Sequence, residues 1–272
     1  SLGTSGRMRH APLRSAVFAC AALSCASPVA AASSDWAEAG GGRVRLVTSG
    51  APDAQGRLKG ALQVDLRPGW KTYWRDPGEA GVPPSIDVSA SPGLLSATLD
   101  FPAPERHGQG DLVWAGYGHP VMLPVTFELG SAAAVAPIDA SVFLGLCETI
   151  CIPLQAELVL DPAHDAPQDA ALVAQAFAAL PQPASAAFGI GFVRAGANEL
   201  VVEMHAPQDA AGELFLAGND DYAFGVPEAF EEAGRRFFRI PLTGSGEVRP
   251  GEGFPYTLVT GSGAVSGLLP AF

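Results

Sequence analysis

The chain has 272 residues, 48% of them hydrophobic and 16% charged, which gives it enough apolar surface to offset the entropy of ordering and excludes a disordered polypeptide. Its 16 basic and 28 acidic side chains leave a formal charge of -12, which argues against nucleic acid and anionic membrane surfaces as partners, because an acidic surface releases no counterions on meeting a polyanion. With 32 glycines and 24 prolines, the composition favours short strands joined by turns over a helical protein, and the length suits one large or two ordinary domains.

In chain order, the first segment reads as an export signal. Arg7, Arg9 and Arg14 form a basic region, Ser15 to Ala26 an apolar stretch, and Val29-Ala30-Ala31-Ala32 a small-residue cleavage pattern. The apolar stretch is shorter than the ~20 residues a bilayer requires, so residues 1–32 are expected to be removed on secretion, with Met8 an alternative start. Export places the mature chain where disulfides persist. Cys20 and Cys25 leave with the signal, and Cys147 and Cys151 are the cysteines expected to stay. No later segment is apolar for long enough to cross a membrane, so a soluble mature protein without stable membrane insertion is expected.

Beyond the signal the pattern is short alternating runs bounded by Gly, Pro, Asp and Ser: 43–48, 58–66, 95–101, 121–127, 138–146 and 155–160. Leu62, Val64 and Leu66 alternate with Gln63 and Asp65, the period of a strand with one face on a core and the other in water. These runs predict a β-sandwich over about 36–162. The Pro/Asp/His stretch that follows, with Leu172, Val173, Ala176, Phe177 and Leu180 at helical spacing before Pro181, predicts a linker with a short helix over 163–185. Strand patterning then resumes at 199–204, 213–217, 235–240 and 256–260, so a second, smaller β-sandwich is expected over 186–272. The fold class expected is all-β, two sandwiches joined by a linker. Gly40-Gly41-Gly42 and Gly189-Ile190-Gly191 lack the strand-to-helix context of a phosphate cradle and read as turns, while Asp220-Asp221 and Glu231-Glu232 read as solvated faces or turns. There is no Gly-x-Ser-x-Gly elbow and no calcium-loop pattern.

The segment richest in chemistry is Leu146-Cys147-Glu148-Thr149-Ile150-Cys151-Ile152-Pro153. One reading is a structural staple, but a bridge closing so small a loop stabilises by only about 2 kcal/mol. Zinc would require a second ligand pair. Copper would draw on His107, His119 and Met122, which lie in one region of sequence. The remaining reading is reversible dithiol–disulfide exchange, where close spacing speeds resolution of a mixed disulfide. The pair opens no helix, and Glu148 lies between the thiols with no Lys or Arg beside them, so no local charge stabilises a thiolate. A relay with a dedicated partner fits that environment better than a promiscuous oxidant. A non-catalytic binding or assembly module stiffened by the same bridge is the competing function.

Several stretches resemble the N-terminal periplasmic domain of the thiol:disulfide interchange protein DsbD, and more closely its ScsB-like branch: Gly69-Trp70-Lys71-Thr72-Tyr73-Trp74-Arg75-Asp76-Pro77-Gly78-Glu79-Ala80-Gly81, Phe101-Pro102-Ala103-Pro104-Glu105-Arg106, Tyr117-Gly118, Leu123-Pro124-Val125 and 147–153. Leu214-Phe215 and 222–227 resemble the additional domain of that branch more loosely. The resemblance implies an immunoglobulin-like sandwich and a protein-disulfide reductase type of activity without a cofactor or a metal. It assigns the intermolecular disulfide to Cys151 and the resolving role to Cys147. As partners it implies thioredoxin-fold proteins of the periplasm and a separate membrane electron-transfer protein, because the chain lacks the membrane and thioredoxin-like domains of full-length DsbD. In the family a loop bearing an aromatic residue caps the cysteines. Its counterpart, 105–110, holds Glu105, Arg106 and His107 but no Phe or Tyr, so His107 or Trp114 is the expected substitute. Tyr73, at an aromatic position near the family's cysteines, and the neighbouring Trp74 complete the expected surroundings, with ordinary burial the competing role for both.

Overall fold

The computed structural model describes residues 1–3, 32–78, 81–109, 113–130, 137–161, 167–207, 211–244, 253–270 and 272. Most of the expected leader therefore lies outside the described residues, as do Glu79, Ala80 and Gly110 of the segments singled out above. The first strands are β1 (Ala32–Ser33), β2 (Ala37–Ala39), β3 (Gly42–Thr48), β4 (Arg57–Leu66), β5 (Thr72–Tyr73), β6 (Ser85–Asp87), β7 (Leu94–Leu99), β8 (Glu105–His107), β9 (Trp114–Tyr117), β10 (Val121–Leu129), β11 (Ile138–Cys147) and β12 (Cys151–Leu160). Helix α1 (Pro167–Ala178) follows. The chain continues through β13 (Gln182–Pro183), β14 (Gly189–Ala195), β15 (Glu199–His205), β16 (Gly212–Leu216), β17 (Tyr222–Phe224), β18 (Glu228–Glu232), β19 (Arg235–Gly244), β20 (Gly253–Thr260) and β21 (Gly263–Pro270). The all-β class is as expected.

Two sheets enclose the first core. One runs β1-β3-β4-β10-β7, with β2 added on β3, and the other runs β12-β11-β6. Their alternating apolar residues, among them Val44, Leu46, Leu62, Val64, Leu123, Phe127, Leu144, Leu146 and Leu158, form one buried cluster. A third small sheet, β5-β9-β8, flanks β11 and carries most of the side chains that reach the cysteines. On the other face of the first sheet, Val47 and Ala61 pack against Val173 and Ala176 of α1. Asp169, in the first turn of α1 where a carboxylate suits the helix dipole, is buried and lies 3.5 Å from Arg45. The stretch expected as a linker is thus seated on the sheet through its helix.

After α1, the sheets β13-β21-β20-β16 and β14-β15-β19-β17, the latter with β18 on β19, share a second core that includes Leu200, Val202, Leu214, Phe238, Ile240, Phe254 and Leu258. The Gly189-Ile190-Gly191 segment opens strand β14 and is not a turn. Its glycines permit close approach: a Cβ on Gly189 would stand 2.9 Å from the Tyr256 hydroxyl, and one on Gly191 would stand 3.2 Å from the His205 ring. Asp220 and Asp221 are exposed in a bend, and Glu231 and Glu232 are exposed on β18 opposite Arg236 and Arg235. The two cores meet where Phe215 and Ala217 join the first cluster, with Phe215 edge-on to Trp74 at 6.0 Å. Beside them the Gly218 N–H donates to Asp76 Oδ2 at 2.8 Å.

Candidate functional site: a cross-strand disulfide beneath aromatic rings

Antiparallel pairing sets Cys147, the last residue of β11, opposite Cys151, the first of β12, and a disulfide joins them across a Cα separation of 4.1 Å. The backbone of Cys147 is engaged on its other side. Its N–H donates to the Lys71 carbonyl and its carbonyl accepts from the Lys71 N–H, each at 2.9 Å. With those groups turned away from β12, the cysteines form a non-hydrogen-bonded pair, the kind whose side chains stand closest.

The two-residue period of the strands decides which way the sulfurs face. Ile138, Ala140, Val142, Leu144 and Leu146 of β11 enter the core, as do Leu154, Leu158 and Leu160 of β12. The intervening positions, including Phe143, Gly145, Cys147, Cys151 and Pro153, face outward. The disulfide therefore stands on the outer face of the hairpin, over the core rather than within it.

Tyr73 covers that face. Its hydroxyl lies 2.9 Å from Cys147 Sγ and 3.3 Å from Cys151 Sγ. The ring fits because Gly145 and Gly81 lack side chains: a Cβ at these positions would come within 2.8 and 2.6 Å of ring carbons. Trp114 meets Tyr73 edge-on at 5.5 Å, and His107 stacks on Trp114 at 4.3 Å with 15° between the planes. Tyr73, Trp114 and Cys147 form one buried cluster in which Cys147 is 3% exposed, whereas Cys151 is an exposed residue. Burial raises the Tyr73 hydroxyl above its ordinary pKa, so it is protonated at neutral pH and able to donate. Gly145→Val is expected to force Tyr73 off the sulfurs and to destabilise the protein by about 1–3 kcal/mol in denaturant titration, the usual cost of overpacking.

Around Cys151 the surface is apolar. Val82, Phe143, Ile152 and Pro153 line, with Tyr73 and Cys151, a groove of about 330 Å³, and Ile150 in the adjoining turn is 68% exposed. Lys71, remote from Cys147 in sequence, is its backbone partner and holds its ammonium over the Trp114 ring at 5.1 Å. The sequence showed no cation beside the thiols, but strand pairing brings this one into the aromatic layer above Cys147.

The structure divides the remaining expected site residues. Trp74 is 1% exposed and belongs to the core beneath the site. Arg106 turns away from the cysteines: Nε donates to Glu213 Oε1 at 2.9 Å, Nη2 to the Leu214 carbonyl at 2.7 Å, and the guanidinium lies over Phe215 at 4.5 Å. Glu105 lies between two imidazoles, 3.3 Å from His107 Nε2 and 3.5 Å from His119 Nε2. Burial lowers the His107 pKa against the opposing pull of Glu105, so the ring stacked on Trp114 is neutral. Met122 packs against the α1 cluster, and among the described residues no group of three or more His, Cys, Asp or Glu side chains is placed to hold a metal ion, Glu105 and its two imidazoles included. Sequence reasoning missed Lys71, Val82, Gly145 and Ile150. The outward parity of Gly145 on β11 was the readable signal for one of them.

Residues 46–163 match the sequence model of a family described as thiol:disulfide interchange protein DsbD, N-terminal. Among solved structures, the crystal structure of the N-terminal periplasmic domain of ScsB from Proteus mirabilis superposes with a TM-score of 0.72 at 20% identity, covering 88% of this chain and 99% of that one. No curated protein matches the chain. Among the described residues no helix is long and apolar enough to cross a membrane.

Proposed function

We propose, from the match of residues 46–163 to the DsbD N-terminal family model, that the chain is a periplasmic thiol–disulfide exchange module, relaying reducing equivalents from a membrane electron-transfer protein to disulfide-bearing partners of the thioredoxin fold. The observation that carries this reading is the asymmetry of the pair, one sulfur buried under Tyr73 and the other in an exposed residue beside an apolar groove. In the reductive half-reaction a partner thiolate attacks Cys151 Sγ. The Cys147–Cys151 bond breaks and Cys147 leaves as a thiolate, which accepts a hydrogen bond from the Tyr73 hydroxyl. The partner's second thiolate then attacks its own sulfur in the mixed disulfide and releases Cys151. Two electrons pass to this chain, its two sulfurs take up two protons, and the partner becomes a disulfide. Delivery to the next protein runs in reverse, with Cys151 attacking and Cys147 resolving.

Tyr73 and Trp114 act in this reading as a fixed cover for Cys147, backed by His107, while Trp74, Glu105 and Arg106 hold that cover in place. The leader predicted at 1–32 supports export, and the chemistry is assigned to a unit spanning 36–162, with 163–185 joining it to a second unit, 186–272. The test is the reduction potential of the purified protein, equilibrated against glutathione or a thioredoxin-fold dithiol. A value above about -300 mV is expected of an exchanging pair, whereas a bond that stays closed at lower potentials would make the bridge structural and remove the proposal.

A further inference from the structure

Cys147 has two cross-strand neighbours. It pairs with Cys151 on one side, and on the other it exchanges both backbone hydrogen bonds with Lys71, each at 2.9 Å. Residues directly opposite in an antiparallel pair send their side chains to the same face of the sheet, with Cβ atoms about 4.5–5.5 Å apart. Lys71 therefore leaves the backbone on the face that carries the disulfide. Parity along its own segment agrees. Tyr73, two residues on, reaches both sulfurs from that face, whereas the intervening Thr72 is buried and donates to the Gly145 carbonyl at 3.0 Å. Lys71 is half-buried, and its ammonium lies over Trp114 at 5.1 Å, against the cluster that Trp114 forms with Tyr73 and Cys147. Among the described residues no carboxylate pairs with that ammonium. Its charge reaches the cover: burial holds His107 below its ordinary pKa against the pull of Glu105, and Lys71 adds to the lowering. The other ionisable side chains around the pair are Tyr73, a neutral donor, and Glu148, exposed in the turn beside Cys147 and unfavourable to a thiolate.

We propose that Lys71 is the cation of the redox site, stabilising the negative charge on Cys147 Sγ when a thiolate attacks Cys151. The electron pair of the broken S–S bond leaves on Cys147 Sγ, Tyr73 donates a hydrogen bond to it, and the ammonium stabilises it without giving up a proton. In a layer of aromatic rings such a charge counts for more than it would in water. This role rests on the exchange chemistry proposed above.

The test is the thiol pKa of Cys147, read from its Cβ NMR resonance across a pH series in the full chain carrying Cys151→Ser. Lys71→Met keeps an apolar stem and removes the charge, and it should raise that pKa by about one unit, as loss of a neighbouring cation predicts. Lys71→Arg should restore the parent value. Lys71→Gln should match Lys71→Met, which covers the case of a Met variant that does not fold. With both cysteines present, the two neutral variants should slow reduction by dithiothreitol about five- to tenfold at neutral pH, and Lys71→Arg should not, because a less acidic thiol leaves more slowly. The pKa is read without any partner, so it tests Lys71 alone, while the reduction potential tests the exchange reading. A Cys147 pKa unchanged in both neutral variants, a shift that Arg does not restore, or an unchanged rate of reduction would leave Lys71 a packing role and overturn the assignment.

Discussion

Cys147→Ala protein mixed with an oxidised thioredoxin-fold protein is expected to accumulate a mixed disulfide through Cys151, and Cys151→Ala to trap about 100-fold less in the same time, because exchange rates follow access to the attacking sulfur. The asymmetry follows from the strand pairing. Both sulfurs leave the outer face of one hairpin, but Cys147 is held on its far side by the Lys71 backbone and roofed by Tyr73 and Trp114, while Cys151 opens β12 at the edge of an apolar groove. A partner sulfur joining Cys147 would have to occupy the space of the Tyr73 hydroxyl, which lies 2.9 Å from that Sγ. Once attached to Cys151 in the Cys147→Ala protein, the partner meets no second thiol on this chain to release it. Intact mass and non-reducing electrophoresis count the product. Comparable trapping through the two cysteines, or trapping mainly through Cys147, would mean that the buried sulfur is the one partners reach.

Access to Cys151 also explains why the bridge is a poor staple. The hairpin is already paired continuously from Ile138 with Leu160 to Cys147 with Cys151, and a loop this short removes little entropy from the unfolded chain. The bond can open without the sandwich losing its core, whose inward residues on β11 and β12 alternate with the cysteines and belong to a separate cluster. Exchange chemistry on a β-scaffold requires that separation, since each turnover breaks a covalent link in the fold.

Long alternating runs such as Leu58–Leu66 and Ile138–Leu146 were legible in the sequence because each has one dry and one wet face, and period two then fixes which residues turn inward. The parity of β11 even places Gly145 and Cys147 on a common outer face. What sequence patterning did not carry were the short strands around the site. Thr72–Tyr73 and Glu105–His107 are too brief to show a period, and the glycines near them serve the Tyr73 ring rather than a turn. Gly189 and Gly191 misled for a related reason, since a glycine kept for close approach inside a sheet reads like one kept for a bend. The place of Arg106 was set by long-range pairing: its partners Glu213 and Phe215 lie on β16, and nothing local announces them. The aromatic cover comes from Tyr73 and Trp114 on β5 and β9, with His107 of β8 stacked on Trp114.

Tyr73→Phe removes one oxygen and keeps the ring, and it is expected to slow reduction of the disulfide by a partner dithiol by about 10–100-fold, the value of a hydrogen bond to an ionised group at 1.5–3 kcal/mol. The buried Cys147 must leave as a thiolate in a layer of aromatic rings, where desolvation disfavours charge and the Tyr73 hydroxyl is the donor at hand. Because burial raises the pKa of that hydroxyl, it keeps its proton through the neutral range and remains a donor at every pH where exchange is measured. A donor to the charged form lowers a thiol's pKa, so its loss should raise that of Cys147 and move the resolving step by about one to two units towards higher pH. The reduction potential near pH 7 should change less than the rate, since the oxygen acts on the transient thiolate. Stopped-flow reduction across a pH series, together with the equilibrium potential, separates this role from packing. If the rate and its pH profile match the parent protein, Tyr73 merely fills the space that Gly81 and Gly145 leave open.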